Sequence, residues 1–114
     1  MVMNSIADLR RIYDEELGRG PFPTSECVAA GITGALHGNL ILYLADIAAL
    51  ASRGEQLPAI SEPEKSTFRQ LASTGLFDRY PQLRSKISSS KTPKLNALVA
   101  ATERARLIIV DALN

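Results

Sequence analysis

The chain has 114 residues, a formal charge of +1, one cysteine and one histidine. That length suits a single domain with one core, residues 1–114, needing neither disulfide nor metal to fold. A lone Cys27 excludes an internal disulfide, one Cys with one His argues against a zinc site, and near-neutral charge argues against a strongly polyanionic partner.

The charge is unevenly placed. Residues 1–57 hold four Arg and no Lys against seven acids, whereas residues 58–114 hold nine basic residues against five acids. Aromatic residues are few and Trp is absent, so the core is expected to rest on Leu, Ile, Val and Ala. The first residues carry charge where a signal peptide needs a continuous apolar stretch, and the expectation is a cytoplasmic protein.

Ser5-x-x-Asp8 resembles a capping box and opens an amphipathic helix to about Leu17, with an apolar stripe of Ile6, Leu9, Tyr13 and Leu17. Gly18, Gly20, Pro21 and Pro23 break it. Thr24 or Ser25 caps a second helix that runs to about Ser52, with Gly31, Gly34 and Gly38 as the points where it can bend or divide in two, and stops before Gly54. Ser61-x-x-Glu64, with Pro63 in the first turn, starts a third helix ending near Gly75. A short helical segment lies around residues 81–87, and residues 88–91 form a loop. Thr92 caps a last helix that begins at Pro93, with Leu95, Leu98, Thr102, Ile109 and Leu113 as its seam. No run alternates apolar and polar residues as a strand would. The predicted fold is all-α: four main helices plus one short helix, with a long, central, Gly/Ala-rich second helix.

That second helix is the most informative segment. Positions 27, 31, 34, 38, 41, 45, 48 and 52 read Cys, Gly, Gly, Gly, Ile, Ala, Ala and Ser, and steps of three and four place them on one helix face. Leu36, Leu40, Tyr43, Ile47 and Leu50 occupy the other face. Such a helix has two faces to bury, and the smooth one lets a second backbone come close. Cys27, Gly31, Gly34, Gly38, Ala45 and Ala48 are the candidate interface residues. Gly34→Leu is expected to destabilise by overpacking that seam. Residues 27–45 contain no charge, but three Gly, Thr33, His37 and Asn39 dilute them, so a buried soluble helix is favoured over a membrane span. Asn39, Asp46 and Arg53, seven apart, form a polar flank that meets water.

Sites for chemistry are thin. Asp14, Glu15 and Glu16 are consecutive, so about 100° of helix separates each from the next and they cannot converge on one ion. They are expected on a solvated face. His37 lacks any motif supplying a nucleophile or carboxylate, and a structural histidine, hydrogen-bonded across a helix pair, is expected. Cys27 fits a small buried filler. No phosphate loop, dinucleotide fingerprint or nucleophile elbow occurs. No catalytic, cofactor-binding or metal-binding residue is predicted, and a helical enzyme using His37 ranks last among the functional readings.

Residues 79–94 carry Arg79, Arg84, Lys86, Lys91 and Lys94 and no acid, interleaved with serines. Cations with hydroxyls can contact phosphates, which makes Arg84, Lys86, Lys91 and Lys94 candidate contacts. Phe68-x-x-Leu71-x-x-x-Gly75-Leu76-Phe77-Asp78-Arg79 resembles the end of a winged-helix recognition helix, with Lys86 and Lys91 near the wing. Lys65 stands where that family generally has an apolar residue. The resemblance implies a nucleic-acid-binding regulator using residues 64–94, the second functional reading. The first is a non-catalytic interaction or regulatory module that binds a protein partner, a second copy of itself included.

Overall fold

The computed structural model describes residues 6–88 and 90–114. The Ser5 capping position lies outside the described residues. Within them the protein is all-α, with no strand.

Helix α1 (Ile6–Ile12) buries Leu9 and Ile12 and continues into a π-helical turn, Tyr13–Leu17. The second helix of the sequence reading is two helices. α2 (Thr24–Ala29) ends where Gly31 adopts φ +77°, and α3 (Gly34–Ser52) starts afresh after an extended Thr33. Only glycine reaches that backbone region at little cost, so Gly31 ends the helix instead of continuing it. A 3-10 segment, Gly54–Ala59, follows. Gly54 is required by proximity, because a Cβ there would stand 2.9 Å from Leu9 Cδ2.

Helix α4 (Glu62–Ala72) has Pro63 in its first turn. Ser61 makes no side-chain cap, and its hydroxyl instead meets the Glu64 carboxylate at 3.1 Å. A short helix not anticipated from the sequence, α5 (Leu76–Arg79), precedes α6 (Gln82–Lys86), which is the segment expected around residues 81–87. Last comes α7 (Pro93–Leu113), which buries Leu95, Thr102, Ile109 and Leu113 of the predicted seam and leaves Leu98 half-buried.

The central element is α7, on which α1, α3, α4, both irregular turns and α2 all pack, and not the Gly/Ala-rich helix. From α3 come Leu40, Tyr43, Leu44, Ile47, Leu50 and Ala51. Leu9, Leu57, Leu83, Leu95, Ile109 and Leu113 complete the floor of the core, each fully buried.

Polar groups tie the helix ends together over long sequence separations. Asn96 N–H reaches the Thr92 carbonyl at 2.8 Å and Pro93 has no N–H, so Lys94 and Leu95 hold the orphan donors of α7. Both donate to the Glu26 carboxylate of α2, at 3.2 and 2.8 Å. Thr92 does not cap. Its hydroxyl donates to the Ser88 carbonyl and accepts from the Ser88 N–H, closing the preceding loop.

At helix C-termini the donors are arginines. Arg69 donates to the Leu113 carbonyl at 2.9 Å, Arg106 to Ala72 at 2.8 Å and Arg79 to Leu71 at 3.2 Å. Cations at the negative end of a helix both satisfy free carbonyls and oppose the dipole. Part of the basic excess in the second half of the chain is therefore structural.

Candidate functional site

The most unusual surface is the outer face of α3. Ala35, Gly38, Ile41, Leu42, Ala45 and Ala49 all face solvent, with Leu42 63% exposed. Val28, on α2, is 62% exposed. A helix with a single charged residue and core on only one side must leave apolar surface uncovered. By length and composition α3 could cross a membrane, yet its inner face supplies core side chains to α7 and α1.

The predicted interface residues divide. Gly38 and Ala45 lie on this exposed face and Ala48 at its half-buried edge. A Cβ at Gly38 would meet nothing within 4 Å, so no neighbour within this chain uses the missing side chain. Gly34 is the first residue of α3 at φ +59°, also in open space, and Gly31 lies in the turn. Gly34→Leu is thus opposed by backbone conformation, not by overpacking within the chain. Cys27 belongs to a different helix and is fully buried in the core. Burial first, then the adjacent Glu26 charge, push its thiol pKa up, which disfavours the reactive thiolate. Sequence reasoning missed Leu42, Ala35 and Ala49 because it chose the face by the smallness of its side chains, and Val28 because it ran one helix through Gly31. The available signal was Gly31-x-x-Gly34, two glycines framing a possible stop.

The polar flank is not one solvated strip. Asn39 is half-buried, and Arg53 is held 5.5 Å over the Phe68 ring and bonded to Gln56. Asp46 alone of the three is exposed.

His37 packs edge-on against Phe22, ring centroids 5.9 Å apart. Its Nε2 is buried and has no hydrogen-bond partner among the described residues, so the expected hydrogen bond from that nitrogen across a helix pair is not made. The acidic cluster sits on the surface: Asp14 pairs with Arg10, Glu16 with Arg104, and Glu15 is exposed. Among the described residues no three His, Cys, Asp or Glu side chains stand close enough to hold a metal ion.

The basic segment does not form a wing, since residues 76–86 are mostly helical and no strand exists among the described residues. Nor do its cations converge. Arg84 lies 5.3 Å over the Phe77 ring beside Asp78, Lys86 Nζ sits against Gly31, and Arg84 and Lys94 line different cavities. Lys91 is exposed.

Beside the α3 face lies a trough with two adjoining cavities of about 540 and 320 Å³. The 18–23 loop bends over it, with Gly20 at φ +68°. Arg19, Pro21, Phe22, Thr24 and Leu98 border both cavities. No protein-family model, curated protein or solved structure matches the chain.

Proposed function

We propose that this protein is a non-catalytic interaction module, and that the exposed face of α3 binds a second copy of the same chain. The observation that carries this reading is the contiguous apolar face, in which Leu42 stands between Gly38 and Ala45 with no cover from its own fold. Contiguous apolar surface of this kind marks interaction sites more often than idle surface.

Charge favours one arrangement. Asp46 is the only Asp, Glu, Lys or Arg in α3. In a parallel pair it would confront Asp46 of the second copy, a repulsive placement. An antiparallel pair crossing at Leu42 instead sets it beside Gly38 of the second copy, where there is room for a side chain. There it lies about one turn from the start of α3, which has no acid in its first turn and no side-chain cap. An anion is favourable at that end of a helix. Nineteen residues give a seam about 28 Å long. Stable interfaces bury about 1,600 Å², more than one helix seam provides, so the dimer is weak, with Kd on the order of micromolar.

Sedimentation equilibrium tests the reading. Wild type is expected to dimerise within the range up to roughly 100 µM, and Leu42→Glu to stay monomeric with its helicity intact. Gly38→Ala, which adds helix propensity in open space, is expected to raise the stability of the Leu42→Glu monomer by up to about 1 kcal/mol. Wild type that remains monomeric, or Leu42→Glu that dimerises as well as wild type, would refute the proposal.

A further inference from the structure

We infer that the trough under the 18–23 loop is a binding site for a small amphipathic carboxylate, an apolar chain carrying one anionic head. The inference rests on which charges in the trough are already engaged. Its larger cavity contains Glu16, Arg19, Glu26 and Lys94. Both acids have partners: Glu16 pairs with Arg104, and Glu26 accepts the two N–H groups that open α7. The cations do not. Among the described residues, neither the Arg19 guanidinium nor the Lys94 ammonium makes a hydrogen bond or an ion pair, so the cavity's uncompensated charge is positive.

The smaller cavity has the opposite character. Leu17, Ile41, Leu44, Ala45 and Ala48 wall it, with Arg19 and Leu98 on the border shared with the charged half. Phe22 stands on the same border, braced by His37. A molecule spanning both halves meets two free cations at one end and aliphatic wall at the other. The volumes fall in the range of small-molecule sites, where apolar lining supplies affinity and a few polar groups fix orientation. Inorganic phosphate brings no tail and forgoes the aliphatic wall, so a carboxylate with an apolar chain is the favoured occupant.

The apolar half shares Ile41, Ala45 and Ala48 with the α3 face, but Leu42 lines neither cavity, so Leu42→Glu removes the dimer without touching this site. Decanoate is the probe, decanol its uncharged counterpart and inorganic phosphate the head without a tail, each titrated into the full chain and followed by amide chemical shifts. Decanoate is expected to move amides of residues 19–26 and 94–102 and to bind about tenfold more tightly than decanol, the scale of one charge-assisted hydrogen bond. Arg19→Gln with Lys94→Gln is expected to abolish that preference while leaving decanol binding unchanged. Added salt should weaken decanoate alone. Leu42→Glu, monomeric under the preceding proposal, should bind decanoate at least as tightly as wild type does. Equal binding of decanoate and decanol, a preference that survives the double substitution, phosphate binding as tight as decanoate, or loss of binding in Leu42→Glu would each overturn the assignment.

Discussion

Removing the Glu26 carboxylate should destabilise a helix that begins 67 residues further along the chain. Glu26 serves both orphan N–H donors of α7, and no side chain near the helix start replaces it. Lys94 is exposed, so water takes over its N–H at little cost. Leu95 is fully buried, and its N–H loses its partner outright, at about 1–2 kcal/mol. The lost charge at the N-terminal dipole adds about 0.3–1 kcal/mol. Glu26→Ala is therefore expected to cost about 2 kcal/mol, which for a domain of this size lowers Tm by about 8 °C. Glu26→Gln keeps an acceptor oxygen and loses only the charge, so it should cost less than half as much. Glu16→Ala, which breaks an exposed pair with Arg104, serves as the control and should cost no more than about 0.5 kcal/mol. Urea unfolding followed by circular dichroism, at one protein concentration for all variants, reads all three. An alanine variant within about 0.5 kcal/mol of wild type would show that α7 does not depend on this contact.

Two further outcomes follow from the polar contacts of the second half. Tyr43 is buried, its hydroxyl donates to the Thr74 carbonyl at 3.0 Å, and burial foremost pushes its pKa from the usual 10 to about 12. The folded state then holds its proton more tightly than the unfolded state, so the associated stability is full below pH 10 and is lost between pH 10 and about 12. Difference absorbance should show a tyrosine step near pH 12 that Tyr43→Phe removes, and the same substitution should flatten that part of the stability profile. A Tyr43 step at or below pH 10 would refute this. For the basic segment, no salt-sensitive binding to generic duplex DNA is expected at micromolar protein, because Arg84 and Lys94 line separate cavities and Arg84 is shared with Phe77 and Asp78. Observing such binding, and losing it when Arg84, Lys86, Lys91 and Lys94 are replaced by Ala, would return the nucleic-acid reading to first place.

Most helix positions were legible because their causes are local. Pro63 and Pro93 sit in first turns, and the 3.6-residue spacing of Leu40, Tyr43, Ile47 and Leu50 placed the inner face of α3 correctly. The long seam failed for a reason that spacing alone cannot expose. Helical periodicity continues arithmetically through Gly31, whereas the backbone there turns to positive φ. One glycine therefore put Cys27 on a separate helix and into the core, whereas Leu42 was passed over because the face was chosen by its small side chains. Capping by distant side chains was equally hidden. Thr92 is a good local cap candidate, yet Glu26, Arg69, Arg79 and Arg106 satisfy helix ends from elsewhere in the fold.

The same distinction bears on the candidate sites. An uncovered apolar face could be anticipated, because a helix with one charged residue and apolar residues on most of its circumference cannot be buried all round in so small a domain. The trough could not, since its charge balance depends on which ionic groups find partners after folding. Glu16 and Arg104 are far apart in sequence, as are Glu26 and the α7 amides, and both contacts form from helices packed around α7. Counting residues would make the trough neutral, with two acids and two bases. Counting partners makes it positive, because a carboxylate already held by two N–H groups or by an arginine offers little to a ligand, while Arg19 and Lys94 still hold all their donors. Net charge by composition and available charge by structure are different quantities, and recognition follows the second.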